Sequence, residues 1–441
     1  MKKNKHHEKA WVVSVRMGLG HQRAAFALAH LAGDGVLNVG EPVTCEPDEL
    51  KLWHNITNGY ETISRMKNVP IIGNGLFNLM NALLYIPPFY PIRDLSKPNM
   101  QAKFIRGYLE KGMGKKLMEI VETRPLPMIS TYFVPSLIAD FYNYSRNYCV
   151  VTDAEINRAW VPVDPTASKT IYLAPCSRAM NRLKEYGVRD DKIFLTGFPI
   201  PRELLGSEKL EILLPDLGQR LRQLDPENRF WPLHGSSVEH FIGHRNVRQK
   251  MKRPLTILYA VGGAGALWET GLAAVKSLKK QIMRKELRFA LAPGVRPEIY
   301  NKYVEGLHEL RIPRELVPII YSPDTVNYFE LFTRFIRETD ILWTKPSELV
   351  FYSALGLPII MTEPVGAQEE YNKKWLLEIQ AGMSQEDPAY ANEWLLDLLH
   401  FGRFAESAWD GFLKARKFGI YKIEEILRTG TMIRESSPLR R

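Results

Sequence analysis

Two glycine-rich loops occupy matching places in the two halves of this 441-residue chain. The apolar run 11–15 leads into Gly18-Leu19-Gly20, and the apolar run 255–261 leads into Gly262-Gly263-Ala264-Gly265-Ala266; a helix-like stretch follows each loop. A strand that turns into a helix through glycines exposes backbone N–H groups at the positive end of the helix dipole, where phosphate binds. The pair of loops therefore predicts two α/β domains that face each other across a ligand-binding cleft.

Neither loop matches the fingerprint of a dinucleotide site. The third glycine of that fingerprint is replaced by Arg23 in the first loop and by Trp268 in the second. The chain also lacks the Gly-Lys-Ser/Thr sequence of a P-loop. For either loop alone, a tight strand-to-helix turn without a ligand is an equally good interpretation, and it is the duplication that favours ligand binding.

The composition is that of a folded protein with an anionic partner. Lys and Arg number 59 against 49 Asp and Glu, which gives a formal net charge of +10. Such a surplus favours nucleotides, anionic lipid headgroups or nucleic acid, although an ordinary basic surface is also compatible with it. Nothing resembles a helix-turn-helix, a zinc finger or an aromatic ribonucleoprotein motif, so no nucleic-acid partner is expected.

Cysteine usage and hydropathy favour a cytoplasmic protein. The three cysteines, Cys45, Cys149 and Cys176, have no metal-like spacing, as expected in a reducing compartment. The apolar run behind the basic N-terminus is too short for an export signal and predicts a first strand. The most apolar stretch, 71–92, is interrupted by glycine, asparagine and proline, so no membrane-spanning helix is predicted.

Apolar runs alternate with helix-like stretches in both halves, a pattern that predicts two parallel sheets. Predicted strands cover 127–131, 148–152, 171–174 and 193–196 in the first half and 255–261, 289–292, 317–321, 341–344 and 358–361 in the second. Periodicity weakens over 206–253, which indicates a linker or insertion. After Asn372 the sequence predicts helix up to about Arg428, followed by a basic tail.

Several short motifs occur in the order seen in monogalactosyldiacylglycerol-synthase-like glycosyltransferases, which this chain resembles over about residues 11–385. They are Gly18-Leu19-Gly20-His21, Ile129-Ser130-Thr131, Val151-Thr152-Asp153, Gly197-Phe198-Pro199-Ile200, the second glycine loop, and Gly356-Leu357-Pro358 through Gln368-Glu369-Glu370-Tyr371-Asn372. A more distant likeness is to the transferase that adds N-acetylglucosamine to the lipid-linked peptidoglycan precursor.

The resemblance implies a GT-B architecture, with two Rossmann-like domains facing across a cleft and an inverting transfer that uses no bound metal and no cofactor. A UDP-sugar would be the co-substrate, and a lipid or other hydroxyl compound the acceptor. The implied division is an acceptor domain at 1–205, a linker or insertion at 206–253, a nucleotide-sugar domain at 254–385, and C-terminal helices with a basic tail at 386–441.

The catalytic residues implied by the resemblance lie in the first domain. His21 stands where the family keeps a histidine, and its imidazole could accept the acceptor's proton. Asp153, at a predicted strand end, is the rival base or an orienting group, and a helix N-cap is its alternative role. Gly18, Gly20 and Thr131 would line the acceptor side.

Donor contacts are implied for the second domain. They comprise Gly262, Gly263, Ala264, Gly265 and Ala266 for the diphosphate, with Lys345, Glu348, Gln368, Glu369 and Glu370 for the nucleotide and sugar. For Glu370 alone, a polar helix start is the preferred interpretation. The histidines of the insertion, His234, His240 and His244, have no acidic or cysteine companions in a convincing pattern, so no metal site is predicted.

Three departures from the family pattern keep other functions open. The segment Lys345-Pro346-Ser347-Glu348 is about two positions short and lacks glycine, and Tyr132 and Asn157 stand where the family often has histidines. A non-hydrolysing sugar-nucleotide epimerase of the same fold is one alternative. A catalytically inactive sugar-nucleotide-binding protein is the other.

A stretch of the first domain is a candidate for peripheral attachment to the inner face of a membrane. The apolar and aromatic residues lie between Leu76 and Tyr90, and basic residues follow at Lys97, Lys103, Arg106, Lys111, Lys115 and Lys116. Apolar side chains in the headgroup layer with basic residues on anionic lipid would give such attachment. Packing of the same side chains in the domain core is the equal alternative.

Overall fold

The computed structural model describes residues 8–66, 85–247, 253–263 and 265–433 and contains two six-stranded sheets in which every pairing is parallel. The first sheet comprises β1 (Trp11–Val15), β2 (Leu37–Val39), β3 (Met128–Ser130), β4 (Asn147–Val150), β5 (Ile171–Ala174) and β6 (Ile193–Leu195). The second comprises β7 (Leu255–Ala260), β8 (Leu287–Gly294), β9 (Ile319–Tyr321), β10 (Ile341–Thr344), β11 (Ile359–Met361) and β12 (Gly382–Ser384). The predicted pair of parallel sheets is confirmed.

Helices cover these strands, because a parallel sheet that is apolar on both faces must be buried on both. The helices are α1 (Leu19–Leu28), α2 (Pro47–Met66), α3 (Met100–Glu110), α4 (Lys115–Val121), α5 (Phe133–Phe141), α6 (Ser177–Glu185), α7 (Leu213–Gln223), α8 (Trp231–Ile242), α9 (His244–Val247), α10 (Trp268–Ser277), α11 (Lys279–Met283), α12 (Pro297–Glu309), α13 (Thr325–Ile336), α14 (Ala367–Glu378), α15 (Ala391–His400), α16 (Arg403–Lys414) and α17 (Gly419–Thr429). Short 3₁₀ helices lie at Ala29–Leu31, Arg158–Trp160, Asp190–Lys192, Arg202–Leu204, Arg314–Leu316, Glu348–Leu355 and Pro388–Tyr390. No helix among the described residues is long and apolar enough to cross a membrane.

The central strands are mainly apolar, as expected for strands that are buried on both faces of a parallel sheet. All five residues of β1 and all six of β7 are buried, and neither strand alternates apolar with polar residues. The strands β2 and β12 were not predicted; each has three residues, of which two in β2 and all three in β12 are partly exposed. β12 also corrects the prediction of uninterrupted helix after Asn372, since it pairs with β11 and closes the second sheet.

The strand order of each sheet reverses next to its glycine loop. The first sheet has the order β2-β1-β3-β4-β5-β6, so the chain leaves β1 toward opposite sides at β2 and β3. The second has the order β12-β11-β10-β7-β8-β9, with the reversal between β7 and β10. In open α/β sheets, ligands bind beyond the carboxyl ends of the strands at such a reversal. Each glycine loop follows the strand that begins the reversal, which places both loops at ligand-binding positions.

The two glycine loops contact each other through their backbones. A Cβ atom added to Gly263 would lie 2.9 Å from Leu19 N and 3.0 Å from Gly18 Cα. Only the absence of a side chain lets the loops approach this closely. The two Rossmann-like domains thus face each other across a cleft with their loops apposed, which is the expected GT-B-like arrangement.

Segments outside the two sheets connect the domains. In α7, Arg220 donates hydrogen bonds to the carbonyl oxygens of Thr339 and Leu355 at 2.9 and 2.7 Å, which fastens the predicted insertion to the second domain. The last helix, α17, returns to the first domain, where Glu424 hydrogen-bonds His30 at 2.6 Å and pairs with Arg202. The sequence-based domain boundaries remain predictions.

We expect Gly263→Ala to lower the free energy of unfolding by about 1–3 kcal/mol, because the new methyl group would press on the backbone of the opposite domain. Gly107→Ala is the matched control. Gly107 lies within α3, and a Cβ there would meet no atom within 4 Å, so the control should be stabilised by about 0.5–1 kcal/mol. Urea denaturation of both variants measures the difference, and equal stability of Gly263→Ala and the wild type would contradict the loop contact.

Candidate functional site

His21 lies in the first turn of α1, directly after the first glycine loop. Gly18 precedes the helix with φ 75° and ψ 171°, a conformation that is essentially restricted to glycine. His21 Nδ1 lies 2.7 Å from the carbonyl oxygen of Thr131 and 3.1 Å from Thr152 Oγ1. Because a carbonyl oxygen can only accept, Nδ1 carries the proton, and Nε2 of the neutral ring keeps its lone pair. Within the described part of the chain, Nε2 has no hydrogen-bond partner.

The environment of His21 favours the neutral imidazole. Burial lowers the pKa of His21 to about 4, although the Thr131 carbonyl and the charge of Glu348 oppose the shift. Tyr132 packs edge-on against the imidazole with ring centroids 4.8 Å apart, and Trp160 lies at 6.4 Å. Tyr132, the residue that departs from the family pattern, thus forms part of the wall around His21. The ring is therefore neutral at physiological pH, and its Nε2 lone pair is available to accept a hydrogen bond or a proton.

Asp153 follows β4 at the same edge of the first sheet. Its Oδ1 accepts a hydrogen bond from Asn372 Nδ2 at 3.0 Å, across the cleft. Burial raises the pKa of Asp153 to about 6, and the nearby carboxylates of Glu348 and Glu369 add to the rise, whereas the Asn372 hydrogen bond and Lys345 oppose it. Asp153 is therefore mainly ionised at pH 7 and takes up a proton just below that pH.

The second glycine loop presents unpaired backbone donors. The N–H of Gly265 donates to the Gly262 carbonyl at 2.8 Å, but the N–H groups of Gly262, Gly263 and Ala266 have no partner among the residues that the structure describes. Arg296 Nε donates to the Gly263 carbonyl at 2.9 Å and fixes the loop from the end of β8. Ala264, which was also predicted to contact the donor, lies outside the described residues. Unpaired backbone N–H groups in a loop of this kind favour a bound anion.

Three helices begin beyond the carboxyl ends of strands, namely after β1, β7 and β11. The helices α1, α10 and α14 begin after Gly18, Leu267 and Gly366, and none of these residues caps its helix with a side chain. Uncapped N–H groups and the positive ends of three helix dipoles favour a bound anion, each dipole by about 0.3–1 kcal/mol at exposed positions.

Lys345 adds a positive charge above the second loop. A Cβ atom on Gly262 would lie 2.0 Å from Lys345 Cε, so the lysine side chain crosses directly over that glycine. The ammonium group pairs with Glu369 Oε1, while Glu369 Oε2 accepts the N–H of Val365 at 2.8 Å. Glu369 thereby holds the ammonium group at the loop. Two other residues of α14 were predicted to contact the donor. Gln368 is partly buried, and Glu370 is exposed to solvent.

Glu348 is bound by a residue that the sequence analysis did not connect with it. Arg23 Nε of the first domain donates to Glu348 Oε1 at 3.0 Å, and only 2% and 8% of the two side chains are exposed. The Arg23 guanidinium also lies 4.8 and 4.3 Å from the ring centroids of Phe329 and Phe332 on α13. Glu348, predicted to contact the donor, here forms a buried ion pair between the domains.

Gly20 explains why Glu348 can approach α1. A Cβ atom at that position would lie 3.0 Å from Glu348 Oε2, so the absence of a side chain leaves room for the carboxylate. The departure noted in the sequence, Arg23 in place of the third glycine, is the other half of this contact. The spacing of Gly20 and Arg23 indicates this contact only when their partner across the cleft, Glu348, is already known.

The structure thus gathers most of the predicted residues at one place. The first domain contributes Gly18, Gly20, His21, Thr131 and Asp153, and the second contributes Gly262, Gly263, Lys345, Glu348 and Glu369. No group of three or more His, Cys, Asp or Glu residues that could hold a metal ion occurs within the described ranges. Of the insertion's histidines, His234 stacks on Phe230 and His244 pairs with Glu239.

Comparison with known proteins gives likeness of fold only. No known family model matches the chain, and no curated protein matches it. Among solved structures, it is similar to the UDP co-structure of MnaA from S. aureus, with 12% identity over 96% of each chain and a TM-score of 0.47. The UDP-GlcNAc 2-epimerase from Neisseria meningitidis bound to UDP-GlcNAc has 11% identity over 96% of this chain and 98% of that one, with a TM-score of 0.45.

A third similar structure is MurG from Acinetobacter baumannii, with 13% identity over 96% of this chain and 99% of that one and a TM-score of 0.45. The two parallel sheets and their order reversals carry the fold assignment of this chain without these neighbours.

We expect the His21 imidazole to stay neutral from pH 8 down to about pH 5.5, because its pKa lies near 4. The measurement is NMR of the His21 Hε1 and Cε1 nuclei over this range, with the resonance assigned by its loss in His21→Gln. Constant chemical shifts are expected. A titration midpoint at or above pH 6 would contradict the buried, carbonyl-bonded ring.

Proposed function

We propose that this protein is a glycosyltransferase that moves a hexose from a UDP-sugar to a hydroxyl acceptor, with inversion and without a metal ion. The observation that carries the proposal is the contact between the two glycine loops, which brings unpaired N–H donors of the second domain next to a neutral histidine of the first. An anion-binding loop and a proton acceptor on opposite walls of one cleft are what such a transfer requires.

The second domain would hold the UDP-sugar. Its diphosphate would bind the N–H groups of Gly262, Gly263 and Ala266 at the start of α10, with the Lys345 ammonium group beside them. Negative charge grows on the diphosphate as the sugar leaves, and preorganised N–H groups and helix dipoles stabilise this charge where other enzymes use a cation. Gln368 is our remaining candidate for contacts to the ribose and the sugar hydroxyls, because Glu348 and Glu369 are already bound by Arg23 and Lys345.

The first domain would activate the acceptor. His21 Nε2 takes the proton of the acceptor hydroxyl while that oxygen bonds to the anomeric carbon and the bond from this carbon to the diphosphate breaks. A single displacement of this kind inverts the anomeric configuration. Asp153 is the alternative base, since its carboxylate is ionised at neutral pH at the same edge of the sheet.

A lipid acceptor, with attachment to the inner face of an anionic membrane, is our proposal for the protein's setting. Exposed apolar side chains lie at Tyr90, Ile92, Met100 and Phe104, close in sequence to basic Lys103. Residues 76–84 of the predicted apolar stretch lie outside the described residues. Phe89 is only partly exposed, because its ring packs against the guanidinium groups of Arg178 and Arg182.

The assay for the proposed reaction is release of UDP from a panel of UDP-hexoses, with and without a lipid extract. We expect release only when acceptor is present. His21→Ala should lower turnover by about a hundredfold or more, while calorimetry gives an unchanged affinity for UDP. His54→Ala, which alters an exposed histidine of the same domain, is the matched control and should retain wild-type turnover.

Other outcomes assign the two alternative functions. Interconversion of UDP-sugars without acceptor would make the protein an epimerase, and UDP-sugar binding without turnover on any acceptor would make it a binding protein. A parallel Asp153→Asn variant decides between the two candidate bases. If UDP affinity and turnover fall together in His21→Ala, His21 is a phosphate ligand rather than the base.

We expect the protein to float with vesicles that contain anionic phospholipid and to be released by salt, because basic residues flank the exposed apolar ones. Replacing Ile92, Met100 and Phe104 by Ser should weaken flotation without lowering the melting temperature, since all three are exposed. Exposed Leu233 and Phe401 of other regions, replaced by Ser, provide the control. A protein that stays soluble with anionic vesicles at low salt would favour a soluble acceptor.

A further inference from the structure

Asn372 of the second domain bonds to two consecutive residues of the first domain. It lies on α14 with none of its surface exposed. Its Oδ1 accepts the backbone N–H of Ala154 at 2.7 Å, and its Nδ2 donates to Asp153 Oδ1 at 3.0 Å. A buried side chain that satisfies both ends of its amide on the opposite domain is a specific interdomain contact.

These two bonds fix which way the amide points. The Ala154 N–H can only donate, so Asn372 must turn its oxygen toward Ala154 and its NH₂ group toward Asp153. The opposite orientation would set an NH₂ group against an N–H and an oxygen against a carboxylate. The NH₂ group is therefore always directed at Asp153, and it occupies one of the two carboxylate oxygens.

The other oxygen of Asp153 remains available to the cleft. Within the described part of the chain, Asp153 Oδ2 has no hydrogen-bond partner, whereas Oδ1 is held from the opposite domain. The carboxylate is consequently oriented by a contact that does not compete with a substrate hydroxyl for Oδ2. A carboxylate fixed in this way is prepared to orient an acceptor hydroxyl or exchange a proton with it.

Because of the charges around Asp153, the hydrogen bond from Asn372 is important for the ionisation of its carboxyl group. Glu348 on the 3₁₀ helix after β10 and Glu369 on α14 both disfavour a second negative charge, and burial acts in the same direction. The Asn372 amide and the Lys345 ammonium group favour the ionised form. Asn372 donates a hydrogen bond to the Asp153 carboxylate, whereas the Lys345 ammonium group pairs with Glu369.

We propose that Asn372 is a positioning residue that holds the Asp153 carboxylate ionised and aimed at the acceptor hydroxyl. The proposal rests on the transferase function above and adds a residue that touches neither donor nor acceptor. It also means that the donor-binding domain supplies a contact on which the acceptor side depends.

The test is the pH dependence of turnover in Asn372→Leu, which keeps the volume of the side chain and removes its donor. The acid limb of the wild-type profile should lie near pH 6, and in the variant it should move up by about one pH unit. Turnover above the limb should fall, because the carboxylate is no longer aimed at the acceptor, whereas the affinity for UDP should change little. Asn392→Leu is the matched control, since it removes an asparagine that bonds to Ser277 within the second domain.

A readout that needs no activity separates this proposal from the proposed function. The carboxyl ¹³C resonance of Asp153, assigned by its loss in Asp153→Asn, should titrate about one unit higher in Asn372→Leu than in the wild type. This result supports the proposal even if no UDP-sugar is turned over. An unmoved carboxyl midpoint overturns it, as does an unmoved acid limb in an active variant whose carboxyl midpoint has risen.

Protein stability decides which variant is used. If Asn372→Leu does not fold, Asn372→Ser replaces it, because the shorter side chain cannot reach both partners. In the Asp153→Asn background, Asn372→Leu should leave the pH profile unchanged, since no carboxylate remains to respond. A shift in that background would assign the effect to general distortion and overturn the proposal.

Discussion

The geometry of the cleft depends on the buried ion pair between Arg23 and Glu348. The pair joins α1 of the first domain to the 3₁₀ helix after β10 in the second. A buried pair is a weak source of net stability, but loss of one partner leaves an uncompensated charge that costs about 3–5 kcal/mol. Loss of either partner would therefore disfavour this arrangement of the domains, in which Gly18 and Gly263 are in contact.

The close approach of the two domains also determines the electrostatics of the cleft. Apposition of the domains removes water from His21 and Asp153, and burial then acts on them in opposite ways: it keeps the imidazole neutral and makes the carboxylate harder to ionise. The three helix N-termini and Lys345 contribute positive potential. Under the proposed function, the first wall would serve proton transfer and the second would bind the anionic leaving group.

Much of the fold was predictable, because the apolar runs before each glycine loop are long and buried on both faces. The edge strands β2 and β12 could not be predicted. Each has only three residues, some of them polar, and so short a segment shows no periodic pattern of apolar residues. Among the candidate site residues, the family resemblance pointed to His21 and Thr131, and its position after an apolar strand pointed to the second loop; their roles remain predictions. Arg23 and Asn372 were not identified as site residues, because their partners are distant in sequence. Asn372 bonds to Asp153, more than 200 positions away, and Arg23 bonds to Glu348 at a separation of 325.

The most direct test of the account is a crystal structure of the protein with UDP. We expect the diphosphate oxygens to lie within about 3.2 Å of the N–H groups of Gly262, Gly263 and Ala266, with the Lys345 ammonium group beside them and His21 Nε2 facing the diphosphate across the cleft. UDP bound at any other place, or a diphosphate without contact to this loop, would contradict the assignment of the two glycine loops to one shared site.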